Sequence, residues 1–198
     1  SGKPIIAVGD YFTQDQYLLA SHADTVISHP MGGVVLEGFS SYRNYFRDAL
    51  EKISVNVHVF RAGDHKSAVE PFIRDDMSPG EKIQTSLWLE NLWGQYTSTV
   101  EEQRALEPGA VNDYVNNFTR RLESQGGDSA QAAIEAGLVD MLLSRNDSND
   151  FLVELVGATN ENGLYEAVVF ERYVARKRPR QFGAGALDRP CWRLFRVS

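Results

Sequence analysis

Four short apolar runs, PIIAVGD (4–10), DTVISHP (24–30), GVVLEG (33–38) and VNVHVFRA (55–62), alternate with stretches of helical period. No other feature constrains the fold as tightly. Residues 11–23 read as a helix with Tyr17, Leu18 and Ala20 inward and Thr13 as a candidate cap. Residues 40–54 read as a second helix, presenting Tyr42, Tyr45, Phe46, Ala49, Leu50 and Ile53 at i, i+3 and i+4. The resulting order β-α-β-β-α-β predicts an α/β domain with a parallel sheet. The first run is of the type buried in the middle of such a sheet, so strands N-terminal to it are expected to be missing, with Ser1 and Gly2 a cloning remnant.

Downstream the signals are helical. Ser78 and Glu81 form a capping box with Pro79 at the first helical position, which predicts a long helix to about residue 105. A stripe of Ile83, Leu87, Leu92 and Tyr96 is expected to face the core. Trp88 and Trp93 broaden it and are candidates for either core or subunit contact, the core being the simpler reading. Another helix is predicted over 108–122, and Asp128 is expected to cap a short one ended by Gly137. Residues 138–140 then read as a small closing strand or turn, RNDSND (145–150) as a polar break, DFLVELVG (150–157) as a helix and LYEAVVFERYV (164–174) as a strand.

Composition narrows the function classes. A chain of 198 residues, 42% hydrophobic, can bury a core of its own. No apolar run approaches the ~20 residues needed to span a bilayer, and the single cysteine, Cys191, forms no intramolecular disulfide. The net charge is −7, yet residues 176–198 carry seven basic residues against one acid. That tail reads as a terminus outside the domain, artefactual by truncation or altered reading frame, and not as a nucleic-acid arm. His22, His29, His58 and His65 show no metal-ligand spacing, so no metal is expected. Neither GxGxxG nor a P-loop occurs, and no cofactor is expected. Asp64, His65 and Ser67 contain the letters of a catalytic triad, but residues so close in sequence do not converge on one point.

Chemistry is expected where the last strand ends. Lys66 follows Gly63 by three residues at the edge of the sheet, a usual address for working side chains in α/β folds. The string GDHKSAVEPFIRDDMSP (63–79) closely resembles the lysine segment of the signal peptide peptidase A (protease IV) family in its long two-domain form. Weaker similarity extends over residues 3–175 through PIIAVGDYFTQDQYLLAS, HADTVISHP, HVFRAG and EAGLVD.

The resemblance implies a ClpP/crotonase-like stacked parallel sheet with flanking helices. It also implies a membrane-associated serine peptidase that degrades signal peptides with a serine nucleophile and a lysine general base. Lys66 takes the place of that base. A free lysine, pKa about 10.4, is almost wholly charged at neutral pH, so the role requires burial, for which Val69, Pro71 and Phe72 are candidate walls. Ser67 and Glu70 are candidate supporting residues for the amine. Aligned on Gly9-Asp10 and Tyr17, the family's nucleophilic serine falls on Gln14, and the two following glycines on Asp15 and Gln16. A carboxamide cannot attack a carbonyl. Thr13 and Ser21 are the nearby hydroxyls, better explained by capping and packing.

Residues 3–145 are thus expected to form a partial lysine-bearing domain, and residues 146–175 to lead toward a second, serine-bearing domain absent from this chain. By resemblance the full-length protein is anchored in the inner membrane facing the periplasm, and its members form rings, so a homo-oligomer is expected. Two other readings stand beside this one: an inert scaffold or oligomerisation domain, and a crotonase-like acyl-CoA enzyme. The second is disfavoured by the lack of a Gly-rich oxyanion turn before Ile5.

Overall fold

The computed structural model describes residues 2–60, 67–157 and 159–177. The chain divides into two units, Ser1–Asn149 and Asp150–Ser198. In the first unit, strand β1 (Ile6–Gly9) is followed by helix α1 (Gln14–Ala20) and strand β2 (Thr25–Ser28). The two strands pair in parallel from Ile6 against Thr25 to Gly9 against Ser28. Strand β3 (Met141–Leu142) joins the other edge of β2, also in parallel, so that β2 is central. Its Val26, Ile27 and Ser28 are fully buried, as the apolar run predicts for a strand covered on both faces.

Carboxylates fix the start of the sheet. Asp24 Oδ2 accepts from the Ile5 amide at 2.7 Å, and Asp140 Oδ2 accepts from the Val26 amide at 2.7 Å. The other oxygen of Asp140 pairs with the buried guanidinium of Arg104 at 2.5 Å.

The remaining described elements are helical, apart from isolated bridges. Helix α2 (Arg47–Lys52) leads to a 3₁₀ turn (Ser67–Val69) and a short α3 (Glu70–Ile73). Helix α4 (Pro79–Gln103) begins where the capping box places it, Ser78 Oγ accepting from the Glu81 amide at 3.3 Å. Helices α5 (Ala110–Asn116), α6 (Phe118–Ser124) and α7 (Ser129–Glu135) follow. Asp128 caps α7 by accepting from the Gln131 amide at 2.9 Å, and Gly137 beyond it has φ +71°.

The core joins Tyr17 and Ala20 of α1, Val26 of β2, Tyr96 and Val100 of α4 and Tyr114 of α5. Two buried phenols stitch it: Tyr17 donates to the Leu138 carbonyl at 2.6 Å and Tyr114 to the Val34 carbonyl at 2.9 Å. Burial pushes the Tyr17 phenol well above its ordinary pKa and that of Tyr114 up to about 12, so both remain donors.

The structure corrects several expectations. Residues 33–38 do not form a third full strand; Val34 alone bridges Phe12 in parallel, and the segment runs on extended with Val34 and Leu36 buried. The run at 55–60 is not a strand, and Val55, Val57 and Phe60 are exposed, because no described strand lies beside it. The helix expected over 40–54 is confined to Arg47–Lys52, whose packing partner is α3 and not the sheet, with Phe46 stacked on Phe72 at 6.3 Å. Ile83 and Leu87 do not face the core: they are 63% and 62% exposed, and α4 buries only Tyr96, Thr97 and Val100 in its C-terminal half. The helix predicted over 108–122 breaks at Asn117.

The second unit holds most of helix α8 (Arg145–Val156), an antiparallel bridge between Thr159 and Tyr165, and helix α9 (Phe170–Lys177). The polar break at 145–150 is therefore helical: Ser144 Oγ accepts from the Asp147 amide at 3.2 Å, an N-terminal signature hidden in a polar string. The strand expected over 164–174 is replaced in part by α9, where Arg176 and Lys177 suit the last turn. A short apolar run with no partner strand carries no strand preference strong enough to prevent this.

The buried phenol of Tyr17 sets a test. Tyr17→Phe leaves the Leu138 carbonyl unpaired and is expected to lower unfolding free energy by about 1.5 kcal/mol in urea titration. An unchanged midpoint would mean that this hydrogen bond does not hold α1 to the end of α7.

Candidate functional site

Gln14 opens α1, and both polar atoms of its side chain are engaged. Oε1 accepts from the Gly38 amide at 2.8 Å and from the Glu37 amide at 3.1 Å, while Nε2 donates to the Gly38 carbonyl at 3.2 Å. Its main-chain carbonyl accepts from the Tyr96 hydroxyl at 3.0 Å. Gly38 lies at φ +78°, a conformation that favours glycine and turns both its amide and its carbonyl onto one carboxamide. The side chain at this position is a clamp between α1 and the extended segment, and it carries no nucleophile.

The neighbouring hydroxyls have structural roles. Thr13 stands at the N-cap of α1, where the Gln16 side chain accepts from its amide at 3.0 Å. Buried Ser21 donates to the Leu18 carbonyl at 2.9 Å.

Lys66, with Asp64 and His65, lies outside the described residues. On its C-terminal side, Ser67 is half-buried, and its carbonyl accepts from Arg43 at 3.3 Å. Glu70 is buried and accepts from the Ser78 amide at 3.1 Å. The expected role of Glu70 as orienter of the amine thus has a competitor, since its carboxylate caps the start of α4, where helix dipole and charge agree. Burial pushes the Glu70 pKa up, but the hydrogen bonds from Ser78, with Arg74 and Arg43 nearby, outweigh it and hold the carboxyl below its ordinary range. Among the described residues no hydrogen bond joins Gln14 to Ser67 or Glu70.

Asp76 bonds Lys82 in the first turns of α4 at 2.9 Å and Arg74 at 3.1 Å, so these charges serve the surface. The tryptophans part company. Trp93 stacks on Tyr96 at 5.3 Å and donates to Asn112 at 2.7 Å, whereas Trp88 is 58% exposed.

Sequence reasoning passed over a cavity of about 660 Å³ at the C-terminal ends of the strands, where Asp10, His29 and Arg145 meet. Each follows a strand closely, and that position was the available signal. Among the described residues no three His, Cys, Asp or Glu side chains gather as a metal site. No helix of the described residues is long and apolar enough to cross a membrane.

Comparison with known proteins decides the family. The model of peptidase family S49 matches residues 1–159, most of the chain. The chain belongs to peptidase family S49. It is 40% identical over 173 residues to Protease 4 of Salmonella typhi, and 35% identical over 176 residues to Protease 4 of Haemophilus influenzae. These matches cover 87% and 89% of this chain but 28% of each relative, so the chain spans little more than a quarter of their length. A plant protein, the chloroplastic serine protease SPPA of Arabidopsis thaliana, is 21% identical over 90% of this chain and 25% of its own. The small parallel sheet with flanking helices is consistent with the ClpP-like fold of this S49 chain.

The cap formed by Glu70 is pH-dependent. With its folded pKa depressed, the stabilisation is present above the unfolded value of about 4.3 and is lost as pH falls through the folded value. Glu70→Gln is therefore expected to be less stable than the native chain at pH 7, with the difference closing below about pH 4. A urea-midpoint difference that stays constant from pH 7 to 3 contradicts the assignment.

Proposed function

We propose that this S49 chain is the lysine-bearing part of a membrane-associated serine peptidase that degrades signal peptides. Lys66 acts as general base, and the serine nucleophile comes from a second peptidase domain that this chain does not include. The observation that carries the reading is the family match over residues 1–159; it is supported by Gln14, read here as standing at the nucleophile's position, both of whose side-chain polar atoms are committed to Glu37 and Gly38. Such a side chain does not attack a carbonyl. Lys66 must lose its proton to serve, which requires a dry site and an altered pKa.

The chain alone is then inactive. Incubated with an unstructured signal-sequence peptide, it is expected to give no turnover; turnover abolished by Thr13→Ala or Ser67→Ala would overturn the division of labour. In a longer serine-bearing relative, replacing the lysine equivalent to Lys66 by alanine is expected to lower peptidase kcat by about 10³-fold. Retention of near-native activity contradicts the role.

A second reading, a scaffold that builds an oligomer, has its own support in the exposed Ile83, Leu87 and Trp88 on the N-terminal half of α4. Under it, light scattering of this chain gives the mass of an oligomer and Trp88→Asp gives a monomer. A monomeric native chain at high concentration removes the reading.

A further inference from the structure

A cavity lies beyond the C-terminal ends of β1, β2 and β3. Its floor is built by a close approach: a Cβ on Gly32 would stand 1.8 Å from the Asp10 carbonyl oxygen, so only glycine lets the chain pass there. Ser129 Oγ donates to the Gly32 carbonyl at 2.6 Å and locks that turn to α7. One wall is apolar, formed by Val34, Val35 and Phe118, with Tyr11 and Met31 at the mouth. Tyr11 and Met31 are exposed.

The polar groups of the cavity are mostly donors. Asp10 is consumed by Arg145, whose Nε donates to Oδ1 at 3.0 Å and whose Nη2 donates to Oδ2. The hydrogen bonds from Arg145, aided by the nearby His29, hold the Asp10 carboxyl below the usual range, so it stays ionised and occupied. A guanidinium has five N–H donors, and this pairing uses two of them. The remaining donors sit on a side chain that is largely exposed. His29 Nδ1 accepts from the Met31 amide at 3.1 Å, which places the proton of the neutral ring on Nε2 and makes that nitrogen a donor. The hydroxyl hydrogen of Ser129 is already spent on Gly32. Two side chains with unspent donors, Arg145 and His29, beside an apolar wall select a ligand that brings acceptor oxygens on an apolar body.

We propose that this cavity binds a carboxylate attached to an apolar group, with Arg145 and His29 holding the carboxylate and Val34, Val35 and Phe118 receiving the apolar part. Its place at the carboxyl ends of parallel strands and its volume both fit a small-ligand site. Two sources supply this chemistry: the free C-terminus of a peptide ending in an apolar residue, and a short fatty acid. The site does not depend on the peptidase reading, because it uses neither Lys66 nor Gln14.

Calorimetric titration of the 198-residue chain with three probes tests it: acetyl-Ala-Leu with a free C-terminus, the same dipeptide amidated, and octanoate. At least one carboxylate probe is expected to bind with Kd of about 1 mM or tighter. If the dipeptide acid binds, its amide is expected to be at least about tenfold weaker. Binding of the dipeptide acid assigns a peptide end, and binding of octanoate alone assigns a fatty acid. Arg145→Gln is expected to weaken the bound carboxylate at least about tenfold, with Arg145→Lys partly restoring it, and Val35→Asp to abolish binding. Val35 is exposed, so the Val35→Asp urea midpoint is expected to match the native one and separates loss of the site from loss of the fold. Equal binding of acid and amide, binding indifferent to Val35→Asp, or no binding of either carboxylate at about 5 mM overturns the proposal.

Discussion

One carboxamide ties together the parts of this domain that have no continuous hydrogen-bond ladder between them. Gln14 bonds both polar groups of Gly38 and the amide of Glu37, while Tyr96 reaches its main-chain carbonyl from α4. The segment at 34–38 is held at its start by the bridge between Phe12 and Val34 and by the Tyr114 hydroxyl on the Val34 carbonyl, and at its end, Glu37 and Gly38, by this side chain. The Gln14 side chain thus holds backbone, beside a core that includes Tyr17 and Ala20 of α1.

The core built around the clamp is small, and polar contacts specify it as much as apolar ones. Tyr17 and Tyr114 each bury a ring and direct the hydroxyl to a carbonyl in a segment without ladder partners. Asp24 and Asp140 do the same for strand starts. Arg104 lies buried against Asp140 and, at 3.4 Å, against the Gly137 carbonyl, so the turn before β3 is held on two sides. Among the described residues, side chains serve the open ends of the three short strands.

Much of this was legible in the sequence where the signal was local and complete. The apolar runs ending at Gly9 and Ser28 gave strands, Ser78 with Glu81 gave the start of α4, and Asp128 gave the start of α7. Signals that need a distant partner misled. Alternating Val55 and Val57 describe a strand face, but a strand needs a neighbour, and the described residues supply none. Ile83 and Leu87 continue the period of Tyr96 yet extend beyond the core that Tyr96 reaches. The start of α8 was missed because Ser144 and Asp147 lie in a string rich in polar residues, where capping and loop composition look alike. At the candidate site, resemblance singled out Gln14 and Lys66, the latter outside the described residues, while the bonds of Gln14 to Glu37 and Gly38 were not readable, because 23 and 24 residues separate the partners.

If the Gln14 carboxamide clamps the extended segment to α1, its bonds must slow exchange of the amides it receives. Amide hydrogen exchange at Glu37 and Gly38, measured by NMR on the native chain and on Gln14→Ala, tests this directly. The expected result is native protection that falls at least about tenfold at both amides in the variant, with the Val26 amide in the sheet unaffected. Equal exchange at Glu37 and Gly38 in the two proteins contradicts the account.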